Sequence, residues 1–224
     1  MPRMGRRPLR PRPSSRDTLS RTRVLKEALV LLDREGADRF SIRRLAEHLG
    51  VTPMAVYNHV TSKDDLFQGI ANAVIEEVKY PSPVGDWQKV VRLCFRALRR
   101  ACLAHPGAVP LIESADALPP AVFQPMEITL TALQKAGITP DDALRAHFLL
   151  TTFTLGQVSY QVKGWGRGID AAIAMNEGRI AAATFPAIAR TTSLRNWNFD
   201  KSFEFGLSII LAGLAASARI SADR

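Results

Sequence analysis

The stretch SIRRLAEHLGVTPMAVYNHVTSK, residues 41–63, holds two short helical patterns around one glycine, and its reading decides the fold. Ser41 is placed to cap the first helix. Ile42, Leu45, Ala46 and Leu49 follow at i, i+3, i+4 and i+7, which puts them on one apolar stripe. Gly50 stands where a left-handed residue ends a helix at least steric cost. Val51 returns to the core, Thr52 caps again, and Pro53 opens the second helix at the position whose N–H has no partner to lose. In that second helix Val56 and Val60 are four apart and point inward, so Met54, Tyr57, Asn58 and Thr61 share the opposite face.

The outward face carries no Asp, Glu or Lys. Methyl, aromatic and amide groups on a short exposed helix suit the major groove of DNA, where they touch thymine methyls and hydrogen-bond base edges. The same pattern fits a buried αα-hairpin with Met54 and Tyr57 packed inside, and the flanking charges favour the first reading. Residues 1–63 hold 14 Lys and Arg against 6 Asp and Glu, a balance of +8, whereas residues 64–224 hold 16 against 15, a balance of +1. A positive field at one end attracts a polyanion and releases its counterions, which gives sequence-independent affinity that falls with salt.

From about Ser20 to Val78 the chain resembles the N-terminal domain of the TetR/AcrR family of bacterial transcriptional regulators: LLDREG closes a first helix, then come FSIRRLAEHLGV and PMAVYNHVTSKDDLF. The resemblance implies that Tyr57, His59 and Lys63 contact phosphates, that Ser41 touches the DNA backbone, and that Arg43 reaches a base. A guanidinium suits that task because it pairs bidentately with guanine O6 and N7. Thr52, Pro53, Met54 and Ala55 stand where relatives place further base contacts, often Gln or Ser, and Asn58 lies on the same face. With Pro, Met and Ala there, methyl contacts outnumber hydrogen bonds and readout through this helix is expected to be weak.

Around this segment the rest of the chain reads as helix. Leu25, Ala28, Leu29 and Leu32 mark a first helix over about 20–35. A fourth begins at Ser62 with a capping box whose Asp65 stands at N3, and continues through Leu66, Phe67, Ile70, Val74 and Val78. It starts at the DNA and finishes in the next domain, which makes it the natural lever between them. Lys63 at its first position is mildly unfavourable for a cation, so a partner outside the helix is expected. Residues 80–86, YPSPVGD, break the pattern and mark a boundary. Further helices are expected over about 87–104, 106–114, 120–136, 140–163 and 200–219, and no stretch alternates like a strand. With 224 residues, 46% of them hydrophobic, the chain has ample core. The expectation is an all-α protein with a basic arm at 1–17, a three-helix helix-turn-helix DNA-binding domain at 18–79, and an effector-binding and dimerisation domain at 86–224. The first sixteen residues hold six Arg and four Pro and should be disordered in isolation, serving either as a solubilising tail or as an arm into the minor groove.

The last helix reads FEFGLSIILAGLAASA from Phe203 to Ala218, apolar on nearly every side. Its apolar run of about fourteen residues falls short of the roughly twenty that cross a bilayer. Protein must therefore cover it, and Gly206 and Gly213 permit close approach. The family resemblance assigns this helix and the one at 140–163 to a four-helix homodimer interface, with two reading helices about 34–36 Å apart on a palindromic operator. It also implies an effector pocket in the middle of the chain. Phe95, Leu98, Cys102, Phe123, Met126 and Trp165 are the apolar candidates, and His147, Thr151, Gln157 and Tyr160 the polar ones. An effector that fits only the conformation with mismatched reading helices weakens operator binding by its differential affinity.

Other chemistry is sparse. Cys94 and Cys102 are eight apart on one helix, too distant to bridge, and point to a reducing cytoplasm. The four histidines lack zinc-site spacing, Gly164, Gly166 and Gly168 follow a helix instead of a strand, and there is no P-loop and no G-x-S-x-G. No cofactor, metal, membrane or catalytic residue is expected. The leading expectation is a repressor released from double-stranded DNA by a small apolar effector; its alternatives are an effector-independent or architectural DNA-binding protein, and an enzyme with a basic tail.

Overall fold

A computed structural model describes residues 19–113, 119–164, 186–189 and 197–222, and among these every regular element is helical. The Arg-rich arm, Trp165 and the second and third glycines of the G-x-G-x-G run lie outside the described residues. Four helices form the N-terminal unit: α1 (Arg21–Glu35), α2 (Ile42–Leu49), α3 (Pro53–Tyr57) and α4 (Lys63–Glu76). Their starts are set by side chains that the sequence provides: Ser20, Ser41, Thr52 and Ser62 each accept a hydrogen bond from a backbone N–H in the first turn. Gly50 ends α2 in the left-handed region at φ 68°, and its N–H closes back onto the carbonyls of Ala46 and Glu47.

The helix that carries the reading face is shorter than its sequence pattern, five residues in all. Val60 lies past its end, yet is as buried as Val56. Five residues do not sustain a helix alone, so the segment is held from outside. Val56 and Val60 anchor it in a core shared with Val24, Leu45, Leu66 and Ile70. A polar clamp completes the hold: Arg21 Nη1 donates to the carbonyl of His59 at 2.9 Å, while the same guanidinium meets Asp65 Oδ1 at 2.6 Å and Oδ2 at 3.0 Å. Asp65 Oδ2 also accepts from the Thr61 N–H at 2.8 Å. The capping box is thus shifted by one residue. Ser62 Oγ caps the Asp65 N–H, but Asp65 reaches back to Thr61, because a carboxylate one methylene shorter than Glu is drawn instead toward Arg21.

Past the Tyr80–Asp86 break come α5 (Trp87–Ala104), α6 (Val109–Glu113), α7 (Phe123–Lys135), α8 (Pro140–Val162), a single turn α9 (Pro186–Ala189) and α10 (Phe199–Ala222). The expected helix at 106–114 is divided: Pro106–Ala108 is a 3-10 turn that leads into α6. Cys94, Phe95, Ile128, Leu133, Leu150, Phe203, Leu207 and Leu211 fill a second core between α5, α7, α8 and α10. Along residues 199–218, α10 is apolar and long enough to cross a bilayer, with mean hydropathy 1.3, so the shorter apolar run counted in the sequence understates it. One side is committed to protein. Glu204 pairs with Arg96 at 2.6 Å and with Arg92 at 3.3 Å, and Gly206 lets Phe153 press against its backbone where a methyl group would lie only 2.5 Å from the ring. Gly213 has no such neighbour within the subunit. On the other side Phe205 and Ile209 are exposed, and α8 likewise exposes Leu144, Phe148 and Leu149.

Chain order and packing part company at one place. Ala108 and Leu111 belong to the core of the N-terminal unit, although they follow α5. Gly107 lies against the last turn of α1, its N–H donating to Asp33 Oδ1 at 2.9 Å, with His105 Nδ1 on Asp33 Oδ2 at 3.0 Å. A Cβ at Gly107 would stand 2.4 Å from the Leu32 carbonyl carbon and 2.6 Å from the Asp33 nitrogen, both backbone atoms that cannot rotate away. Gly107→Ala is expected to destabilise by about 1–3 kcal/mol, the usual range for overpacking, and thermal denaturation should show a Tm lower by roughly 3–10 °C; an unchanged Tm would mean that the junction yields freely.

The Arg21 guanidinium and the Thr61 N–H hold the Asp65 carboxyl well below the usual carboxylate range. A depressed folded-state pKa stabilises above the unfolded value and is lost as pH falls toward the folded one. Arg21 is half exposed, so screening leaves the pair about 1 kcal/mol. Asp65→Asn should therefore lower Tm by a constant few degrees between pH 5 and 8, roughly 2–4 °C, and the gap to wild type should close progressively below about pH 4. A gap that is the same at pH 3 and pH 7 would refute the clamp.

Candidate DNA-reading surface and effector cavity

The reading face is open. Met54 is 70% exposed and Tyr57 45%, next to exposed Thr52, Pro53, Asn58 and Thr61, with Ala55 and His59 half-buried at its margins. Ser41 is spent on its cap, and its side chain is half-buried at the start of α2. Arg43 is exposed two residues further on, paired with Glu47 across one helical turn at 3.0 Å. That pair is fully solvated and weak, so the guanidinium is held outward at little cost to release. Lys63 has its partner within the subunit: Nζ lies 5.0 Å from the Phe67 ring centre, a cation–π contact that offsets the helix N-terminus beneath it. Among the ten residues picked from the sequence, Ser41, Arg43, Thr52, Pro53, Met54, Ala55, Tyr57, Asn58, His59 and Lys63, none is sealed in the core. They come from α2, α3 and the start of α4.

The second feature is a narrow cavity of about 60 Å³, whose atom-free space reaches about 450 Å³ once its mouth is counted. Four of the effector candidates line it: Phe95, Leu98, His147 and Thr151. Helix rotation explains the division on α8. His147, Thr151 and Leu155 are four apart and share a face, whereas Gln157 is turned by about 120° and Tyr160 by about 180° from Thr151 at the middle of that face, and Tyr160 is half exposed. Phe123 is exposed, Met126 is half-buried outside the lining, and Cys102 packs in a separate small cluster with Val109 and Val158.

The sequence reading passed over Ile75, Tyr80, Cys94, Ile112, Val122, Pro125 and Leu155, which complete the wall. Tyr80 opens the stretch that reads as a domain boundary; an aromatic among prolines is the available signal that this boundary folds inward. Burial pushes the Cys94 thiol up to about 11 and the Cys102 thiol up to about 12, so both are unreactive packing groups. Burial likewise pushes the His147 imidazole down to about 4, which leaves it neutral near pH 7.

Comparison with known proteins agrees with both halves. The family model "Bacterial regulatory proteins, tetR family" matches residues 24–70, and "Tetracyclin repressor-like, C-terminal domain" matches residues 81–218. An HTH-type transcriptional regulator of Saccharopolyspora erythraea is 30% identical over 205 residues, covering 89% of this chain and 86% of that protein. The class A tetracycline repressor of transposon 1721 from Escherichia coli is 30% identical, covering 86% and 88% respectively. The crystal structure of Streptomyces coelicolor ActR in complex with actinorhodin superposes with a TM-score of 0.77 at 30% identity, over 90% of this chain and 99% of that one. With its helix-turn-helix unit and its helical C-terminal unit both matched, the chain belongs to the TetR family of bacterial transcriptional regulators.

Proposed function

We propose that the protein acts in the cytoplasm as a homodimeric repressor that binds a palindromic operator through α2, α3 and the start of α4, and that leaves the DNA when a small apolar molecule occupies the cavity. The observation that carries this reading is that α4 belongs to both sites. Lys63 opens it at the reading face, and Ile75, about 18 Å further along the helix axis at 1.5 Å per residue, lines the cavity. A ligand that moves Ile75 thereby moves the element to which α3 is clamped. Relatives support the ligand half: ActR has been crystallised with actinorhodin, and three classes of tetracycline repressor are among the similar sequences. The exposed apolar faces of α8 and α10 support the dimer half, since Phe148, Leu149, Phe205 and Ile209 are the kind of contiguous surface that a second copy covers.

On the operator, Tyr57, His59 and Lys63 take phosphates, Arg43 takes a base edge, and Met54 with Pro53 and Ala55 supplies methyl contacts. A footprint of the purified protein over genomic DNA identifies the site, and fluorescence polarisation on that duplex then reads affinity. Arg43→Ala should cost about 1–3 kcal/mol and relax the sequence requirement at one position, whereas Lys63→Ala should weaken all sequences alike and reduce the salt slope by about one. Equal affinity of the Arg43/Tyr57/Lys63 triple alanine variant and wild type would end the proposal.

Charge at the exposed face of α10 tests the assembly. Phe205→Glu is expected to give a folded monomer in sedimentation, with operator affinity reduced at least tenfold because one reading head alone spans a half-site. A dimer that survives this change would place the interface elsewhere.

A further inference from the structure

The polar atoms in the cavity wall divide into those that have a partner and those that do not. The Thr151 hydroxyl donates to the His147 carbonyl at 2.9 Å, and the Cys94 sulfur lies 4.0 Å from the Pro125 carbonyl and accepts from Thr129 at 3.7 Å. Tyr80 Oη and His147 Nδ1 are different. Both are shut off from solvent, and among the described residues no group bonds to either. His147 is 94% buried by its 6% exposure, its ring tilted 5.8 Å from Phe95. Folding leaves such atoms unsatisfied only at a cost in stability, and both belong to residues that line one cavity, which makes it the place where something else can supply the bonds.

The wall also defines what that something is. Among the described residues, no Asp, Glu, Lys or Arg lines the cavity, so an entering ion would lose its water and meet no opposite charge there. Burial keeps the imidazole neutral and holds the Tyr80 hydroxyl above the usual phenol range, so neither group becomes an ion to receive one. Aromatic rings from Tyr80, Phe95 and His147 favour a flat partner. We infer that the effector is an uncharged aromatic molecule bearing hydroxyl or carbonyl oxygens, and that Tyr80 Oη and His147 Nδ1 are the two groups that recognise those oxygens. The inference rests on the reading that this cavity is the effector site.

Isothermal titration of the full-length protein with 1-naphthol, naphthalene and 1-naphthoate tests it. Wild type should bind 1-naphthol about tenfold more tightly than naphthalene, the yield of one or two neutral hydrogen bonds, and 1-naphthoate at least tenfold more weakly than 1-naphthol. Tyr80→Phe should bring 1-naphthol within about threefold of naphthalene while leaving naphthalene unchanged, and His147→Phe should act in the same direction. Because Tyr80→Phe removes an unsatisfied hydroxyl, the ligand-free variant should also melt no lower than wild type and up to roughly 4 °C higher; a hydroxyl that served packing alone would move Tm down and leave the ligand preference alone. Tightest binding of 1-naphthoate, a preference that survives both substitutions, a destabilised Tyr80→Phe variant, or no binding of any of the three probes overturns the inference. Polarisation on the operator duplex separates the two claims. Probes that bind in the expected order but never release DNA defeat the effector-released reading and leave the cavity assignment standing. Release by 1-naphthoate alone does the reverse.

Discussion

The guanidinium of Arg21 on the carboxylate of Asp65 is the contact on which the reading head depends. A five-residue helix has too few internal hydrogen bonds to persist alone, and α3 ends where its chain turns back at Asn58 and His59. Arg21 closes that turn from α1 by holding the His59 carbonyl, and Asp65 closes it from α4 by holding the Thr61 N–H. Beneath them Val56 and Val60 supply the apolar weight. Three separate helices, α1, α2 and α4, therefore define where Met54 and Tyr57 point, and on the proposed function that face would meet DNA already ordered, without losing conformational freedom at the moment of binding.

Because α4 is one of those three, the same clamp ties the reading face to the cavity wall. Its polar end is fixed to α3, and its apolar end supplies Ile75 to the cavity and Val74 to the N-terminal core. Small displacement of a packed helix is the cheap motion in such a structure, since its neighbours resist compression more than sliding. On the proposed function, a ligand would act only through a difference in affinity between two helix positions, so what would matter is not how tightly the cavity held a molecule but how much that grip depended on where α4 lies.

The local features of this fold were legible in the sequence and the long-range ones were not. Ser41, Thr52 and Ser62 read as caps, and each accepts the bond that a cap accepts. Gly50 read as a left-handed terminus and is one. These are decided within four residues. The outward direction of Met54 and Tyr57 followed from the same short range once Val56 was placed inward. Asp65 shows where local logic stops: its position in the capping box was clear, but the pull of Arg21, 44 residues earlier, redirected its carboxylate to Thr61. The cavity lay beyond such reasoning altogether. Phe95, Leu98, His147 and Thr151 stand out because their residue types suit a pocket, while Tyr80 sits in the proline-rich break and Val122 and Pro125 carry no feature that marks them as lining. Which side of α8 faces inward is set by its register against α5 and α7, and no property of Gln157 or Tyr160 alone reveals that they turn away.

The seat of Ala108 and Leu111 in the N-terminal core bears on how such regulators can be recombined. A chimaera cut at the proline-rich break near residue 82 would transplant α1 to α4 without the turn that seals their underside, leaving Val24 and Leu32 of the graft beside a foreign surface. An exchangeable cassette of this architecture is therefore discontinuous in the chain: it comprises the four leading helices together with the Pro106–Ile112 passage, and a host that carries any residue larger than glycine at 107 would refuse it.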